Sequence, residues 1–578
     1  MSDAPNDNRP GPKKELSMEM RLLLAFALMG IVLYVTPYIF KSFSPPPPPK
    51  PASAQKQKPE QNPAPPVAEA KPVAHPASGA KKPAVTQPAV GEKEETFTLE
   101  TDLYKVEFSN RGGVVRHWIL KKYLDDAGKP IDVINTAAVA KVGYPFQIGF
   151  EQQKPAVDFN TALFVVKPDP DGLGVTYEFV DGAMAARKTF RFQKNHYLVQ
   201  VSTEVMQNGA SVPHLIVWRG GFGDPGITNP GYQHTVYFDS ANSKLITHEP
   251  KAAKDGPVTS EGAYSFAGLE DTYFAAVFLP TKPGPIKLVT FSDPVPAAAN
   301  PKEEPHVGAG VGGAGQNEMA LFVGPKDIDI LTRLNPQLVN IVDFGWFSFL
   351  AKPLFLALHY VNDKWVHNYG WAIVIVTIFI NVLLFPLKLS NLKSMKKMQA
   401  LQPQIAAINE KYKGIGMRDP RKQQQNEEVM GLYKKHGANP MGGCLPMLIQ
   451  IPFFIAFYKV LSVAIELRHA NWLWVTDLSG PEHLPIKVLP IAMIATQFIV
   501  QKMTPTASVD PNQQRMMLLM PLIMGFFFYG LPSGLVLYYL TANIVGIVQQ
   551  WFFNKTVTVA DLPQPVPATK KQNGRSRR

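Results

Sequence analysis

A pair of uncharged polar side chains interrupts one of the most apolar stretches of the sequence. Thr377 and Asn381 lie within WAIVIVTIFINVLLFPL, and because they are four residues apart they share one face of a helix. Hydroxyl and amide groups donate and accept hydrogen bonds without carrying a charge. In a helix that crosses a membrane, such groups need a polar partner, a hydrated cavity or a functional role.

Further uncharged polar residues occur in the later apolar segments; they are Gln450, Gln497, Tyr538, Tyr539, Thr541 and Asn543. If several converge with the first pair, they form a wet recess that lowers the cost, on the order of several kcal/mol, of moving polar groups through hydrocarbon. Hydrogen bonding between helices, worth roughly 0.6 kcal/mol per pair, is an equal alternative. The two tyrosines also suit the aromatic belt near the outer end of their segment.

Common catalytic and metal-binding motifs are absent from the sequence. It contains no Walker motif, HExxH, CxxC or GxSxG. The single cysteine, Cys444, excludes an intramolecular disulfide. Lys459 lies inside an apolar segment, where snorkelling to the outer interface is favoured over a proton relay. We therefore expect a protein that is not an enzyme, with no catalytic residue, cofactor, metal or small-molecule substrate.

Six apolar segments must position the polar residues. The first, 22–40, is uncharged and has no small-residue cleavage site after it, which predicts a retained signal anchor. The second is predicted at 369–387. The third to sixth lie within 446–553, near 446–466, 487–503, 516–531 and 533–553.

The distribution of basic residues orients these segments. Lysine and arginine number four in 1–21, eleven in 388–445 and six in the tail 554–578. Because basic loops stay in the cytoplasm, both termini are expected there, with the region between the first two spans outside. The net charge of +12 suits an acidic partner such as anionic lipid or RNA.

Two regions of different character separate the first two spans. Residues 41–94 are rich in proline and predict an extended linker. Residues 95–335 alternate apolar and polar side chains, as at Phe97, Leu99, Tyr104, Val106 and Phe108. This pattern predicts a large antiparallel all-β sandwich. A glycine-rich run at 308–315 is expected to form a loop rather than a phosphate cradle.

An amphipathic helix is predicted within 336–368. Leu354, Leu358, Val361 and Trp365 recur at helical spacing, which suits a helix lying in the membrane interface. Packing of this helix against the β-domain is the alternative.

The basic region 388–445 is expected to form a cytoplasmic helical hairpin. Met398, Leu401 and Ile405 follow a heptad-like spacing. Lys396, Lys397, Met398 and Leu401 are the residues expected to contact lipid or a partner. Packing of the apolar seam within the hairpin is the favoured alternative for the two apolar members.

Three longer motifs resemble the YidC/Oxa/Alb family of membrane protein insertases, in its Gram-negative form. They are ANPMGGCLPMLIQIPFFIAFYKVLSVAIELRHA at 438–470, QKMTPT at 501–506 and LPSGLVLYYLTANIVGIVQQ at 531–550. The resemblance implies a polytopic α-helical membrane protein with six transmembrane helices and a large periplasmic all-β supersandwich domain. It also implies a hydrophilic groove that is open to cytoplasm and lipid.

The resemblance carries expectations about partners and residues. It implies insertion of nascent membrane proteins in the bacterial inner membrane, alone or with the Sec translocon, and a ribosome contact through the basic C-terminal tail. Thr377, Gln450 and Tyr538 match groove positions of the family, and Asn381 and Tyr539 complete the candidate groove.

Asn381 departs from the family pattern. The family usually carries a basic residue five positions before the proline of the second span, which here is Pro386. Asn381 supplies hydrogen bonds but no ion pair. Lys388, seven residues on, lies on nearly the same face, and we hypothesise that it lends charge at the groove mouth.

Two other function classes stay open at this point. A secondary transporter of a small solute predicts inverted repeats or ionisable intramembrane residues, and neither is clear in the sequence. An enzyme whose β-domain binds sugars rests on resemblance of fold alone, which is weak support for function.

Overall fold

The structure is a computed structural model that describes residues 88–556 except 126, 152–154, 228–229, 283, 298–299, 416–418, 437–444 and 505–510. The predicted first span at 22–40, most of the linker 41–94 and all but the first residues of the basic tail lie outside the described residues.

Nineteen strands occur among the described residues of the region 96–325. They are β1 (Thr96–Glu100), β2 (Tyr104–Ser109), β3 (Val114–Leu124), β4 (Pro130–Asp132), β5 (Gln147–Gly149), β6 (Val165–Pro168), β7 (Gly174–Asp181), β8 (Met184–Phe192), β9 (Leu198–Gln207), β10 (Ala210–Ser211), β11 (Leu215–Trp218), β12 (His234–Asp239), β13 (Lys244–His248), β14 (Val258–Gly262), β15 (Tyr264–Glu270), β16 (Phe274–Pro280), β17 (Ile286–Ala297), β18 (Asn300–Gly312) and β19 (Gln316–Pro325).

The strands form three sheets whose described pairings are antiparallel. The ten-stranded sheet has the order β13-β12-β15-β16-β19-β9-β8-β7-β6, with β10 beside β9. The other two have the orders β1-β2-β3-β4 and β14-β17-β18-β11-β5. The large antiparallel β-sandwich predicted from the alternation is therefore confirmed.

The predicted alternation places the expected side chains in the core. Leu99, Val106 and Phe108 are at most 1% exposed. The ring of Tyr104 meets that of Trp118 edge to face at 5.5 Å between centroids, an arrangement that the charge distribution of aromatic rings favours. These residues join the small four-stranded sheet to the core of the domain.

The prediction of a loop for the glycine-rich run 308–315 is wrong for its first five residues, which end β18. This strand pairs with β11, Ala309 opposite Trp218. A Cβ on Gly308 would lie 2.9 Å from the Cα of Arg219, so the close approach of the neighbouring chain requires glycine here. The run was misread because glycine in a strand resembles a loop in composition.

Eleven α-helices occur among the described residues. They are α1 (Val139–Val142), α2 (Ile328–Leu334), α3 (Ser348–Val361), α4 (Tyr369–Leu383), α5 (Phe385–Ala400), α6 (Gln402–Lys411), α7 (Arg421–Lys435), α8 (Leu445–Val463), α9 (Val488–Met503), α10 (Pro511–Phe528) and α11 (Ser533–Thr556). Short 3₁₀ helices include Pro336–Ile341 and Ile465–Leu467, and a π-helix, Asn362–Val366, continues α3.

Among the helices that the structure describes, α11, with 24 residues, is the one that by itself has the length and composition of a membrane span. The pair Ser348–Val366 and Tyr369–Leu383 passes the same test together but bends by 116° between its members. Three further apolar helices, Gln450–Val463, Val488–Met503 and Leu518–Phe528, are shorter. The count of six spans therefore stays a prediction.

The predicted second span, 369–387, is divided in the structure. Helix α4 ends at Leu383 and α5 begins at Phe385. Pro386 lies in the first turn of α5, where its missing N–H is tolerated, whereas inside a continuous helix it would remove a hydrogen bond.

The predicted amphipathic helix is α3 with its π-helical extension. Leu354, Leu358 and Val361 are buried, and α3 packs against α8 and α4. Trp365, which the spacing assigned to the same face, is instead 63% exposed. The π-helix explains this difference, because its wider turn rotates the residues that follow α3.

Helices α5, α6 and α7 occupy the region that was predicted to form a helical hairpin. Met398 is 2% and Leu401 5% exposed, and both pack with Ile405 and Tyr433 in a separate apolar cluster. The seam thus packs within the hairpin. Of the four expected contact residues, Lys396 and Lys397 retain partly exposed surface.

A buried ion pair joins the β-domain to the helical region. Arg468 Nη2 lies 2.5 Å from Asp224 Oδ2, and the two side chains are 8% and 2% exposed. The guanidinium also lies 5.1 Å from the ring centre of Tyr273. The backbone N–H of Asp224 donates to Asp271 Oδ2 at 2.6 Å, and burial raises the pKa of Asp271 to about 6.

Replacing Arg468 by methionine should loosen this junction. The change leaves the Asp224 carboxylate buried without its cation, which typically costs about 3–5 kcal/mol. Amide hydrogen exchange of 222–226 and 465–470 should therefore accelerate about 100-fold or more, since 1.4 kcal/mol is about tenfold. Arg333→Met, at an exposed arginine of α2, is the control. Unchanged exchange in Arg468→Met would show that the ion pair does not hold the two parts together.

Candidate functional site

Helix α11 is held at its start by the loop that follows α8. The backbone N–H of Ser533 donates to the carbonyl of Gly480 at 2.7 Å, and that of Gly534 to the carbonyl of Leu478 at 2.9 Å. The Ser533 hydroxyl also donates to the Gly480 carbonyl, at 2.9 Å. A Cβ on Gly534 would lie 2.7 Å from the side chain of Leu461. These contacts fix where the polar residues of α11 lie along the bundle.

The first contact of α11 is with the polar stripe of α4. Thr377 and Asn381 are 0% and 4% exposed. Asn381 Nδ2 donates to the Thr377 carbonyl at 2.8 Å, and Gln549 Nε2 from α11 donates to the Asn381 carbonyl at 3.1 Å. Among the described residues, the Thr377 hydroxyl and Gln549 Oε1 are buried without a hydrogen-bond partner.

Lys388 lies directly at the Asn381 side chain. Its Nζ donates to Asn381 Oδ1 at 2.5 Å, across the break between α4 and α5. Asn381 is uncharged, but its amide oxygen accepts a hydrogen bond from the lysine ammonium. A positive charge is thus present beside position 381, supplied from seven residues further along the chain.

The second contact joins α11 to α8. Gln450 Nε2 donates to the Tyr538 hydroxyl at 3.2 Å. Tyr538 is 2% exposed, and its ring stacks on Phe457 with centroids 4.1 Å apart. The belt alternative therefore does not fit Tyr538. Tyr539 is only partly buried and packs against Phe528 of α10 at 5.0 Å.

The third contact is a ladder between α11 and α9. Asn543 Nδ2 donates to the Thr496 hydroxyl at 3.3 Å, and Gln550 Nε2 donates to the Met503 carbonyl at 2.7 Å. From the first hydrogen bond to the second, the sequence advances by seven residues, about two turns, on each helix. The two contacts therefore lie on one face of each helix. The matching direction makes α9 and α11 parallel neighbours. Gln497, next to Thr496, has a buried Oε1 with no partner among the described residues.

The structure thus brings most of the sequence-predicted polar residues to α11. Thr377 and Asn381 approach it through α4, Gln450 through α8 and Asn543 from α11 itself. Thr541 donates instead to the carbonyl of Leu537 in its own helix, at 2.8 Å.

Sequence reasoning missed Thr496, Gln549 and Gln550. The available signal was the spacing along α11, because Gln550 follows Asn543 by two turns and Gln549 follows Tyr538 by about three. Those glutamines lie close to the end of the apolar segment, where polar residues are common and do not by themselves indicate a functional site.

Comparison with known proteins defines the class of protein to which this arrangement belongs. A family model described as 60Kd inner membrane protein matches residues 361–560, and a model of the YidC periplasmic domain matches residues 96–357. The two matches cover the helical region and the β-domain respectively. The chain is therefore a membrane protein with a periplasmic β-sandwich domain.

Relatives extend this match to nearly the whole chain. Membrane protein insertase YidC of Syntrophus aciditrophicus is 35% identical over 560 residues, covering 93% of this chain and 100% of the relative. The protein of the same name from Geotalea daltonii is 35% identical over 564 residues, with the same coverage. A solved structure of an active YidC insertase has 21% identity and a TM-score of 0.37, covering 81% of this chain and 95% of that one.

This chain belongs to the YidC family of membrane protein insertases. The resemblance read from the three sequence motifs is thereby confirmed.

The side-chain pairs around α11 should contribute little to stability. Hydrogen bonds between membrane helices are worth roughly 0.6 kcal/mol each, so Gln450→Leu and Asn543→Leu should each lower the apparent thermal midpoint only slightly. Phe457→Ala, which empties a fully buried site, should cost about 3–5 kcal/mol. Thermal unfolding of the detergent-solubilised chain measures all three. A loss in Gln450→Leu as large as in Phe457→Ala would assign these residues to structure alone.

Proposed function

We propose that this chain is a membrane protein insertase and chaperone. It inserts nascent integral membrane proteins into the inner membrane and helps them fold, alone or beside the Sec translocon, without acting as an enzyme. One observation carries the proposal: partly buried, uncharged hydrogen-bonding groups of α4, α8 and α9 meet on α11. Membership of an insertase family supports this assignment, whereas the alternative of a small-solute transporter is not favoured.

The polar side chains around α11 form the wall of a hydrophilic groove. Thr377, Asn381, Gln450 and Tyr538 line it, with Tyr539 at its margin. A polar substrate segment that reaches this wall exchanges hydrogen bonds with water for hydrogen bonds with the wall. The exchange lowers the cost of carrying backbone and side-chain polar groups through hydrocarbon.

Partly satisfied groups make such an exchange favourable. Buried polar atoms in proteins almost always have a hydrogen-bond partner, yet the Thr377 hydroxyl, Gln497 Oε1 and Gln549 Oε1 have none among the described residues. Each could accept a hydrogen bond from a substrate N–H without giving up an existing hydrogen bond, once the side chains that cover it move apart. Because these three groups are neutral, they bind a substrate without the strong ion pairs that would slow its release.

The surrounding parts present the substrate to this wall. The basic segments support six spans with both termini in the cytoplasm, and the family match supports a periplasmic β-domain. Lys396 and Lys397 of the hairpin contact anionic lipid or the ribosome, and the buried Met398 and Leu401 hold the hairpin together. The basic C-terminal tail is the second ribosome contact.

Lys388 supplies the positive charge that Asn381 lacks. Its Nζ lies at 2.5 Å from Asn381 Oδ1, at the end of the polar stripe and next to the cytoplasmic hairpin. An acidic substrate tail that enters from the cytoplasm meets this ammonium first. The asparagine positions the lysine and continues the uncharged wall.

Insertion by the purified chain in liposomes tests this role. The substrate is a small phage-coat-like protein, made with an acidic tail or with a neutral one. Lys388→Gln should slow insertion of the acidic-tailed substrate by about tenfold, the equivalent of 1.4 kcal/mol, and leave the neutral one unchanged. At an effective dielectric of about 20, a charge pair at 4 Å is worth ~4 kcal/mol, so a tenfold effect needs only partial contact.

Two further variants separate charge from architecture. Asn381→Arg alone places two cations in contact and should slow insertion, whereas Asn381→Arg with Lys388→Gln should restore it. Lys393→Gln, at an exposed lysine of α5, is the matched control and should behave as wild type. Equal rates for Lys388→Gln and wild type on the acidic-tailed substrate would remove Lys388 from the mechanism. No insertion by the wild-type chain would refute the proposed function itself.

A further inference from the structure

A histidine and two aspartates from three elements meet on the outer side of the helical region. His359 lies in the last turns of α3, Asp363 in the π-helix that follows, and Asp329 in α2, which leaves the β-domain. His359 Nε2 lies 3.2 Å from Asp329 Oδ2 and 3.1 Å from Asp363 Oδ2. The three ligand-type atoms all lie within 4.8 Å of one another.

The spacing of these atoms matches the coordination shell of a metal ion. Ligand atoms each about 2.0–2.1 Å from a tetrahedral ion lie about 3.3 Å from one another, close to the two measured separations. His359 and Asp363 are four residues apart and face the same side at the end of α3, an arrangement suited to chelation by one helix. Asp329 closes the site from a separate helix.

Neighbouring groups hold the three ligands in position. The other ring nitrogen of His359, Nδ1, lies 3.1 Å from the Tyr369 hydroxyl, which leaves Nε2 for an ion. Asn362 Nδ2 donates to Asp363 Oδ1 at 2.9 Å, which turns Oδ2 toward the histidine. Phe355 stacks on the imidazole with centroids 5.8 Å apart and planes inclined by 18°. Metal-binding histidines and carboxylates are characteristically supported in this way.

Two carboxylates that converge on one ring nitrogen favour a positive charge at that point. Asp329 and Asp363 would otherwise repel each other at this separation. Their side chains are 52% and 43% exposed, and that of His359 is 25% exposed, so an ion has access from solvent and water completes its coordination.

We propose that Asp329, His359 and Asp363 form a binding site for a divalent transition-metal ion. One imidazole with two carboxylates suits Zn²⁺ and, less tightly, Mn²⁺. The bound ion joins α2 to α3 and so fixes the segment that leaves the β-domain against the outer helix. The site is independent of insertion, because none of its residues belongs to the wall around α11.

Metal titration of the full chain tests this site. The protein is purified in detergent without a histidine tag, stripped with EDTA and titrated with Zn²⁺ in competition with a chromophoric chelator. One equivalent should bind, and His359→Asn should weaken that binding by about 100-fold. Tyr369→Phe, which alters only the support of the histidine, should weaken it by about tenfold. Zn²⁺ should also slow amide exchange across Ile328–Leu334, and a parallel titration with Mn²⁺ should give weaker binding.

Matched variants distinguish zinc bound at this site from zinc bound elsewhere on the protein. His367→Asn changes an exposed histidine eight residues away and should bind Zn²⁺ as wild type does. Asp329→Asn, at an exposed position, repeats the test if His359→Asn fails to fold. Binding that is equally tight in wild type and Asp329→Asn, or no saturable binding by wild type, would overturn the proposal and leave a metal-free ion-pair cluster.

Discussion

Buried polar groups inside an apolar helix bundle are the constraint on which this structure depends. In hydrocarbon no water is at hand to satisfy a side-chain amide or hydroxyl, so its partners must come from neighbouring helices. Helix α11 is where those partners meet. Tyr538, Asn543 and Gln549 contact three different helices, α8, α9 and α4. These contacts fix the position of each of those helices relative to α11. The same contacts leave a few buried acceptors without a partner among the described residues, and these are the groups to which we assign substrate contact.

The outer face of the molecule keeps α11 in place. The loop between α8 and α9 holds the start of α11 through the carbonyls of Leu478 and Gly480. An earlier part of the same loop also holds the β-domain, through Arg468 and Asp224. One short outer segment therefore ties the β-domain and the last helix to the same point. The hairpin at the opposite end has its own apolar cluster and meets the bundle near Lys388.

Elements governed by a strong local period could be predicted from the sequence. The alternation at Leu99, Val106 and Phe108 predicted strands because one face of each is buried. The stripe of Thr377 and Asn381 predicted a shared face because four residues make about one turn. Irregular geometry escaped this reasoning. The strand that contains Gly308 depends on the approach of another strand, and the exposure of Trp365 depends on a π-helical turn that no spacing rule anticipates.

The candidate site shows the same division. Side chains that interrupt apolar stretches, such as Asn381 and Gln450, stood out in the sequence. Gln549 did not, because it lies near the end of its segment. Its contact with the Asn381 carbonyl of another helix is visible only in the structure. The placement of Lys388 on Asn381 was hypothesised from helical spacing. The contact crosses the boundary between α4 and α5, which Pro386 signals in the sequence.

Contact between a nascent membrane protein and α11 is the central claim of this account. A photoreactive phenylalanine derivative in place of Tyr538 tests it most directly, with the same residue in place of Phe526, an aromatic side chain of α10 that is 81% exposed, as the control. Ribosome-bound membrane-protein chains in membranes containing this protein should give an adduct at position 538 that exceeds the adduct at position 526. Equal adducts at both positions, or none at 538, would contradict the account.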